Sequence, residues 1–92
     1  DEAIEEYKKA ISINPTFAEA YNNLGYIFYE TEKYSFAINE FKKAIELKQD
    51  YISAHTNLSM AYRKVGLHDQ SAEEIEIAKQ LAMKQQVDQR QR

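Results

Sequence analysis

The chain has 92 residues, of which 43% are hydrophobic and 29% charged, and its formal net charge at pH 7 is −3. This acidic balance disfavours nucleic acid and anionic membranes as partners, because both require a basic surface. No apolar stretch is long enough to insert into a membrane. Cysteine is absent, which excludes disulfides and thiolate metal sites, and the length suits one small domain.

Five amphipathic helices are predicted, each from apolar residues that recur at helical spacing. The first covers residues 2–13, where Tyr7 and Ile11 keep this rhythm. Asn14 followed by Pro15 ends it, because proline disfavours helical backbone at the residue before it. Short connections then force consecutive helices into antiparallel hairpins. The remaining helices are predicted at residues 17–31, 35–47 and 51–65, and from 70 to 83 or beyond.

Capping residues are predicted at four helix starts and at one helix end. Thr16 and Asp50 precede the second and fourth helices. Ser35 and Asp69 stand at the starts of the third and fifth helices and are separated by the same interval as the first pair. A capping side chain accepts a hydrogen bond from an unpaired helix amide and contributes about 1 kcal/mol. Gly66 suits the left-handed residue that commonly ends a helix.

The apolar pattern itself repeats with a 34-residue period, which is also the interval between the paired caps. Units of this period form stacked arrays in which each unit buries its apolar face against the next. The small residues among the repeated positions let helix axes approach closely, so these positions are interpreted as packing. Such an array offers a surface that holds a partner rather than a pocket that transforms a substrate. The repeated positions include Tyr7, Phe41 and Ile75; Ala10, Ala44 and Ala78; Ala20 and Ala54; Leu24 and Leu58; Gly25 and Ser59; and Phe28 and Tyr62.

The sequence contains no recognisable catalytic or metal-binding group of residues. His55 and His68 lie in different units, where we expect packed or hydrogen-bonded side chains, and a metal site needs three or four ligands at close spacing. The glutamate pairs at 5–6 and 73–74 are consecutive, so their side chains point to different sides of a helix. We therefore expect no catalysis, no metal and no cofactor, and an enzymatic role only for a domain attached to this one.

One unit carries an aromatic residue followed by Leu-Gly and a second aromatic residue, and then Ala, Phe and Ala further along. In order, these residues are Tyr21, Leu24, Gly25, Phe28, Ala37, Phe41 and Ala44. This spacing resembles the tetratricopeptide repeat (TPR). Residues 18–51 and 52–85 match as two complete repeats, and residues 1–17 match the second helix of a truncated repeat. Residues 86–92 form a polar extension of the last helix. The resemblance implies an all-α, right-handed superhelical array of antiparallel hairpins, an α-solenoid with about two and a half repeats.

Several positions depart from the family pattern. His55 and His68 replace aromatic residues, and Ser59 replaces a glycine. The glycine between paired helices is present as Gly66 but is Glu32 in the earlier repeat. These changes bear on local packing and turn geometry rather than on the fold.

The resemblance implies that the first helix of each pair lines a concave groove, in which family members hold an extended peptide or a partner helix. Asparagine amides there can accept from a backbone N–H and donate to a carbonyl, while tyrosine and methionine offer adaptable apolar contact. Alternatively, the asparagines belong to the scaffold and the charged residues are solvated surface. The candidate partner-binding residues are Glu19, Asn22, Asn23, Tyr26, Tyr29 and Glu30 in one helix, and Ser53, Thr56, Asn57, Met60, Arg63 and Lys64 in the other.

Some TPR domains bind the C-terminal carboxylates of chaperones through Lys and Arg side chains in this groove. Here, uncharged residues stand where those cations are expected, namely Asn22, Ser53, Thr56 and Asn57. Because buried carboxylates need cationic partners, we expect no two-carboxylate clamp.

A second hypothesis is self-assembly through the exposed end helices of the array. The first helix lacks the partner helix that the resemblance implies, so Ile4, Tyr7 and Ile11 are candidate self-association residues. An uncovered apolar face is either an interaction surface or an aggregation liability. We expect an array that continues upstream or a second copy that covers this face. A homo-oligomer is thus the alternative to a protein or peptide ligand.

Overall fold

The computed structural model describes residues 2–90, and within them the chain forms five helices and no strand. The number of helices and their approximate positions confirm the prediction. The fifth helix continues beyond Met83, so residues 86–90 belong to it, while residue 1 and residues 91–92 lie outside the described part. The helices are α1 (Glu2–Ile13), α2 (Ala18–Glu30), α3 (Tyr34–Leu47), α4 (Ile52–Lys64) and α5 (His68–Arg90).

Consecutive helices pack side by side. α2 packs against α3 and α4 against α5, which gives two hairpins, and α1 packs against α2. The hairpins are joined where α3 contacts α4, and α2 also touches α4 directly. None of the helices in residues 2–90 is long and apolar enough to cross a membrane.

Two apolar clusters fill the interfaces between the helices. The first cluster contains Ala37, Phe41, Leu58, Ala61 and Tyr62, and the second cluster contains Tyr21, Ala44 and Ala54.

The α2–α3 hairpin closes over a glycine. Phe41 on α3 is completely buried, with 0% of its surface exposed, and its ring lies against the α2 backbone at Gly25. A Cβ atom on Gly25 would stand 2.6 Å from Cε1 of Phe41, well inside the roughly 3.5–4.0 Å at which carbon atoms attract each other. The close approach of the two helices therefore requires a residue without a side chain at this position.

The α4–α5 hairpin makes a polar contact at the equivalent place. Ser59, one repeat period after Gly25, donates its hydroxyl to the Ser71 carbonyl at 2.8 Å, and the Ser71 hydroxyl lies 2.9 Å from the same oxygen. Both serines are buried. The residue that matches Phe41 is Ile75, which is only half-buried. The second hairpin thus buries less apolar side chain than the first.

α2 and α4 end in the same way, with a hydrogen bond that spans a left-handed residue. After α4, the Leu67 N–H donates to the Tyr62 carbonyl at 2.9 Å around Gly66, whose φ is 84°. This confirms the sequence prediction for Gly66. After α2, the equivalent bond is 2.8 Å long and spans Glu32, which takes the left-handed conformation with φ 62° although it is not glycine.

Replacing Glu32 with glycine is expected to raise the free energy of unfolding by about 0.5–1 kcal/mol. Left-handed backbone costs a residue with a Cβ atom about 1–2 kcal/mol, and glycine removes this cost. The greater flexibility of glycine in the unfolded chain cancels part of the resulting gain in stability. Urea titration followed by circular dichroism measures the change. Gly66→Ala is the matched control and should move the urea midpoint in the opposite direction. A lower midpoint for Glu32→Gly would contradict this explanation.

The predicted helix N-caps are wrong. α2, α3 and α4 are preceded by Phe17, Lys33 and Tyr51, and none of these residues makes a side-chain capping bond. Thr16 instead donates its hydroxyl to the Asn14 side-chain oxygen at 2.7 Å, in the turn before α2. This bond stabilises the turn rather than a free helix amide.

Ser35, Asp50 and Asp69 also miss the capping positions. Ser35 and Asp69 lie inside the first turns of α3 and α5, and Asp50 comes before the capping residue of α4. Backbone bonds tighten the helix starts instead, as where the Ala54 N–H donates to the Tyr51 carbonyl at 3.1 Å. Asp69 is still favourable, because a negative charge in the first turn interacts well with the helix dipole.

Candidate partner-binding groove

A polar network bridges the neighbouring helices α2 and α4, and the groove is the surface between these two helices. Asn57 donates from Nδ2 to Asn22 Oδ1 at 3.0 Å, and Asn22 donates from Nδ2 to the Tyr51 hydroxyl at 3.3 Å. Asn22 is 6% exposed, and Asn57 is half-buried. These bonds link α2 to α4 beneath the groove surface.

Asn22 therefore does not present the free amide that the sequence predicted. Its expected exposure is wrong, because Asn57 and Tyr51 occupy its side-chain oxygen and nitrogen. Tyr51 belongs to this polar network and was missed by sequence reasoning. The sequence did contain a signal for this residue: Tyr51 lies one repeat period after Phe17, so an aromatic residue precedes both α2 and α4.

Most of the other candidate residues are open to solvent, which a binding surface requires. Tyr26 is 44% exposed and Met60 is 36% exposed, and these two residues occupy equivalent positions on α2 and α4. Their roles in binding stay predictions. The exposed candidates are Glu19, Asn23, Tyr26, Glu30, Ser53, Met60, Arg63 and Lys64, and the half-buried ones are Tyr29, Thr56 and Asn57.

Three tyrosines form a contiguous aromatic row from α2 to α3. The rings of Tyr26 and Tyr29 are stacked, with centroids 6.4 Å apart and an interplanar angle of 19°. Tyr34 at the start of α3 meets Tyr29 edge-on, with centroids 5.6 Å apart. Ring pairs of this geometry are favourable beyond their buried area. Tyr29 is thus held between two neighbours, one of which, Tyr34, was not among the candidate residues.

The carboxylate of Glu30 modifies the exposed end of this row. Its hydrogen bond to the phenol of Tyr26, followed by its negative charge, raises the pKa of Tyr26 above the usual 10.0. Both effects disfavour the charged phenolate relative to the neutral phenol. Tyr26 and Glu30 therefore influence each other electrostatically near the end of α2.

The two walls of the groove carry opposite charges. Glu19 and Glu30 stand on α2, whereas Arg63 and Lys64 stand at the end of α4. Within residues 2–90 the one contact at salt-bridge distance is between His55 and Glu74, so these four groups form no ion pair. The surface between α2 and α4 thus has acidic residues on one side and basic residues on the other.

His55 is a structural residue rather than a groove residue. It is 5% exposed, and its Nε2 donates to the Gln49 carbonyl at 2.9 Å while its Nδ1 lies 2.6 Å from a carboxylate oxygen of Glu74. In the preceding repeat, the Tyr21 hydroxyl donates to the Pro15 carbonyl at 3.0 Å. The two bonds occupy equivalent positions in successive repeats. His55 therefore reproduces a tyrosine bond and adds a contact to α5.

The packing prediction holds for His55 and is wrong for His68, which is exposed at the start of α5. The two histidines consequently have different surroundings. No group of three His, Asp or Glu side chains in residues 2–90 is arranged to hold a metal ion.

The uncovered face of α1 is smaller than the sequence predicted. Tyr7 is half-buried, whereas its equivalent on α3, Phe41, is fully buried. Ile11 packs against the second cluster, toward the interior of the array. Ile11 is nevertheless only half-buried, so its role in self-association stays a prediction. Ile4 is half-buried, which leaves Tyr7 as the main aromatic residue of this face.

Helical hairpins stacked at a constant 34-residue interval define an α-solenoid repeat protein. The chain belongs to the tetratricopeptide repeat family: the TPR repeat model matches residues 1–31 and 25–66. This confirms both the resemblance and the all-α array fold of about two and a half repeats. The division into units at 1–17, 18–51, 52–85 and 86–92 stays a prediction.

Solved structures agree with this assignment. A crystal structure of MamA has a TM-score of 0.87 at 28% identity, over 92% of this chain and 52% of the MamA chain. The first TPR domain of Spaghetti (RPAP3), bound to the HSP90 peptide SRMEEVD, has a TM-score of 0.87 at 21% identity, over 88% and 64% of the two chains. The chain spans about half the length of MamA. No curated protein sequence matches it.

Proposed function

We propose that the chain is a non-catalytic scaffold that binds a peptide or a partner helix in the groove between α2 and α4. One observation carries this proposal: side chains beneath the groove are hydrogen-bonded to one another, while side chains at its surface are exposed. Asn22, Asn57 and Tyr51 bond to one another across the helices. Tyr26 and Met60 extend from the same helices into solvent. A preorganised surface of this kind loses little entropy on binding.

The chemistry of the groove favours a ligand with both apolar and polar groups. The Tyr26 ring and the flexible Met60 side chain offer one adaptable apolar contact per repeat. Asn57 donates to Asn22 through Nδ2, so its Oδ1 is available to accept a ligand N–H. Asn23 is exposed and has both amide groups available for a peptide backbone.

Peptide binding by a solved relative supports this class of ligand. The first and second TPR domains of Spaghetti (RPAP3) are bound to the HSP90 peptide SRMEEVD. This chain differs at the positions where a carboxylate clamp would need cations, since Ser53, Thr56 and Asn57 are uncharged. Its ligand is therefore proposed to be held by apolar contacts and amide bonds rather than by a pair of terminal carboxylates.

Alanine in place of Tyr26 or Met60 is expected to weaken ligand binding by about tenfold, since hot-spot side chains contribute more than about 1 kcal/mol. The probe is a peptide selected from a displayed random library on the purified chain, and calorimetry measures its affinity. Phe36→Ala and Met83→Ala are matched controls, because these exposed side chains lie on α3 and α5. Unchanged affinity in both groove variants would remove the groove hypothesis.

Self-assembly remains a second candidate because Tyr7 is partly open while its equivalent Phe41 is fully buried. A second copy that covers α1 would raise the mass seen by light scattering as concentration increases. Tyr7→Glu should restore the monomer mass, since a charge on that face must be desolvated. A wild-type chain that stays monomeric at high concentration would exclude this candidate.

A further inference from the structure

The exposed side of α5 carries a row of four side chains, here called the outer stripe: Glu73, Ile77, Gln80 and Lys84. They follow one another at intervals of four, three and four residues, which is the spacing of the seam between two paired helices. All four are exposed, Ile77 to 37%. They line a surface depression of about 450 Å³ whose walls include the half-buried Leu81. α5 thus presents a short apolar centre between two charged ends.

The outer stripe points away from the packed interior of the array. The buried α5 residues Ser71 and Ala78 lie on the opposite side of the helix. Asn39, Lys43 and Glu46 of α3 stand one repeat period before the first three residues of the stripe. They are exposed although both α2 and α4 pack against α3. A repeat packed on either side of α5 would therefore leave the outer stripe open.

The apolar residue in this stripe departs from the repeat. Lys9 of α1 and Lys43 of α3 occupy the position of Ile77, and both are exposed. The nitrogen of Lys43 lies 5.7 Å from the centroid of the Tyr21 ring. A hairpin therefore packs without an apolar side chain at this position. The exposed part of Ile77 is stabilised only when something outside residues 2–90 covers it.

The two ends of the outer stripe carry opposite charges. Glu73 begins it and Lys84 ends it, and neither forms an ion pair within residues 2–90. When two copies of α5 lie antiparallel along this seam, Glu73 of one protomer faces Lys84 of the other, and Ile77 faces Gln80. The two-fold axis gives each of these contacts twice. A parallel pair would instead place glutamate against glutamate and lysine against lysine, which is unfavourable.

Gln80 is suited to the middle of such a seam. Its Nε2 donates to the Glu76 carboxylate of the same helix at 3.1 Å, so this amide nitrogen already has a partner. The methylene groups of Gln80 can then pack against Ile77 of the other copy, in the way that long polar side chains cover apolar surface.

We propose that the outer stripe is a homodimer interface, in which α5 pairs antiparallel with α5 of a second copy of this chain. The surface is complementary to itself in charge and in the position of its apolar centre, as a two-fold interface requires. It lies on neither the groove nor α1, so it depends neither on ligand binding nor on self-assembly through Tyr7. An interface formed by a few helical turns is small, and the dimer is accordingly weak.

Replacing the apolar centre tests the interface. Sedimentation equilibrium at high micromolar to millimolar concentration should show a dimer, and Ile77→Lys should return it to the monomer, because the buried charge would lose its hydration. The variant should fold normally, as circular dichroism can verify, since Lys9 and Lys43 are accommodated at the equivalent positions. Phe36→Lys is the matched control on α3, where Phe36 is 58% exposed, and should leave the dimer intact.

Charge reversal tests the antiparallel arrangement. Glu73→Lys and Lys84→Glu should each weaken dimerisation roughly tenfold, because each replaces two ion pairs with two like-charge contacts. An equimolar mixture of these two variants should form a heterodimer about as well as the unmodified chain, since opposite charges then face each other again. Glu5→Lys makes the same charge change at the equivalent exposed position of α1 and should have no effect.

Four results would overturn the proposal. The first is a chain that stays monomeric at millimolar concentration, and the second is a dimer that persists in Ile77→Lys. The third is a mixture of the two charge variants that associates no better than either variant alone. The fourth is a dimer that Tyr7→Glu dissociates and Ile77→Lys does not, which would place the contact on α1.

Discussion

The substitution Gly25→Ala is expected to lower the free energy of unfolding by about 1–3 kcal/mol, although alanine is a better helix former than glycine by about 1 kcal/mol. The added Cβ would stand 2.6 Å from the Phe41 ring. That ring is completely buried, so it can move only if α2 and α3 separate or their neighbours repack. Urea titration of the variant, compared with the unmodified chain, measures the loss.

Two further variants show whether the ring causes this loss. Asn23→Ala changes an exposed residue of the same helix and should be neutral or slightly stabilising, since nothing opposes its helix propensity. Phe41→Leu removes ring atoms and should be less harmful in the Gly25→Ala background than in the unmodified chain, with a coupling energy of about 0.5–3 kcal/mol. Strict additivity of the two changes would show that the steric contact does not limit the packing.

Removal of the Glu74 carboxylate is expected to cost about 1.5–3 kcal/mol, the range for hydrogen bonds that involve a charged group. Glu74→Ala leaves Nδ1 of the buried His55 without its hydrogen-bond partner at 2.6 Å. The same change also removes the side-chain link between α4 and α5 at this point. Thermal and urea unfolding of Glu74→Ala should both show the loss, with Glu73→Ala as the exposed neighbouring control.

Substitutions at His55 separate its two bonds. His55→Tyr should keep a donor near the Gln49 carbonyl, as Tyr21 does for Pro15, and should be destabilised less than His55→Ala. The alanine variant loses both bonds and leaves a cavity, and larger losses follow cavity volume. Equal stability of the tyrosine and alanine variants would mean that the carbonyl bond contributes nothing.

The array could be predicted from sequence because its period is carried by residues that the structure buries. Phe41, Ala44 and Ala54 are fully enclosed, and each belongs to the 34-residue pattern. The helix N-caps could not be predicted, because tertiary contacts decide where α4 begins. Tyr51 packs against the second cluster and bonds to Asn22, and these contacts outweigh the local capping preference of a neighbouring aspartate.

Helical spacing predicted the exposed part of the groove and failed where two helices meet. Tyr26 and Met60 are open to solvent as expected. Asn22 is not, because Asn57 comes close enough to donate to it, and the spacing within one helix contains no information about a neighbouring helix. The partial burial of Ile11 has the same origin, since the second cluster against which it packs includes Ala44 and Ala54 from later helices.

The contrast between the two hairpins makes their local stabilities unequal. Phe41 is enclosed in the first hairpin, while its counterpart Ile75 is half-buried and the neighbouring contact is between two serines. Apolar burial stabilises roughly in proportion to area, so of the two hairpins the α4–α5 hairpin costs less to open. In a sub-global opening α4 and α5 then separate before α2 and α3, which persist as the more protected unit.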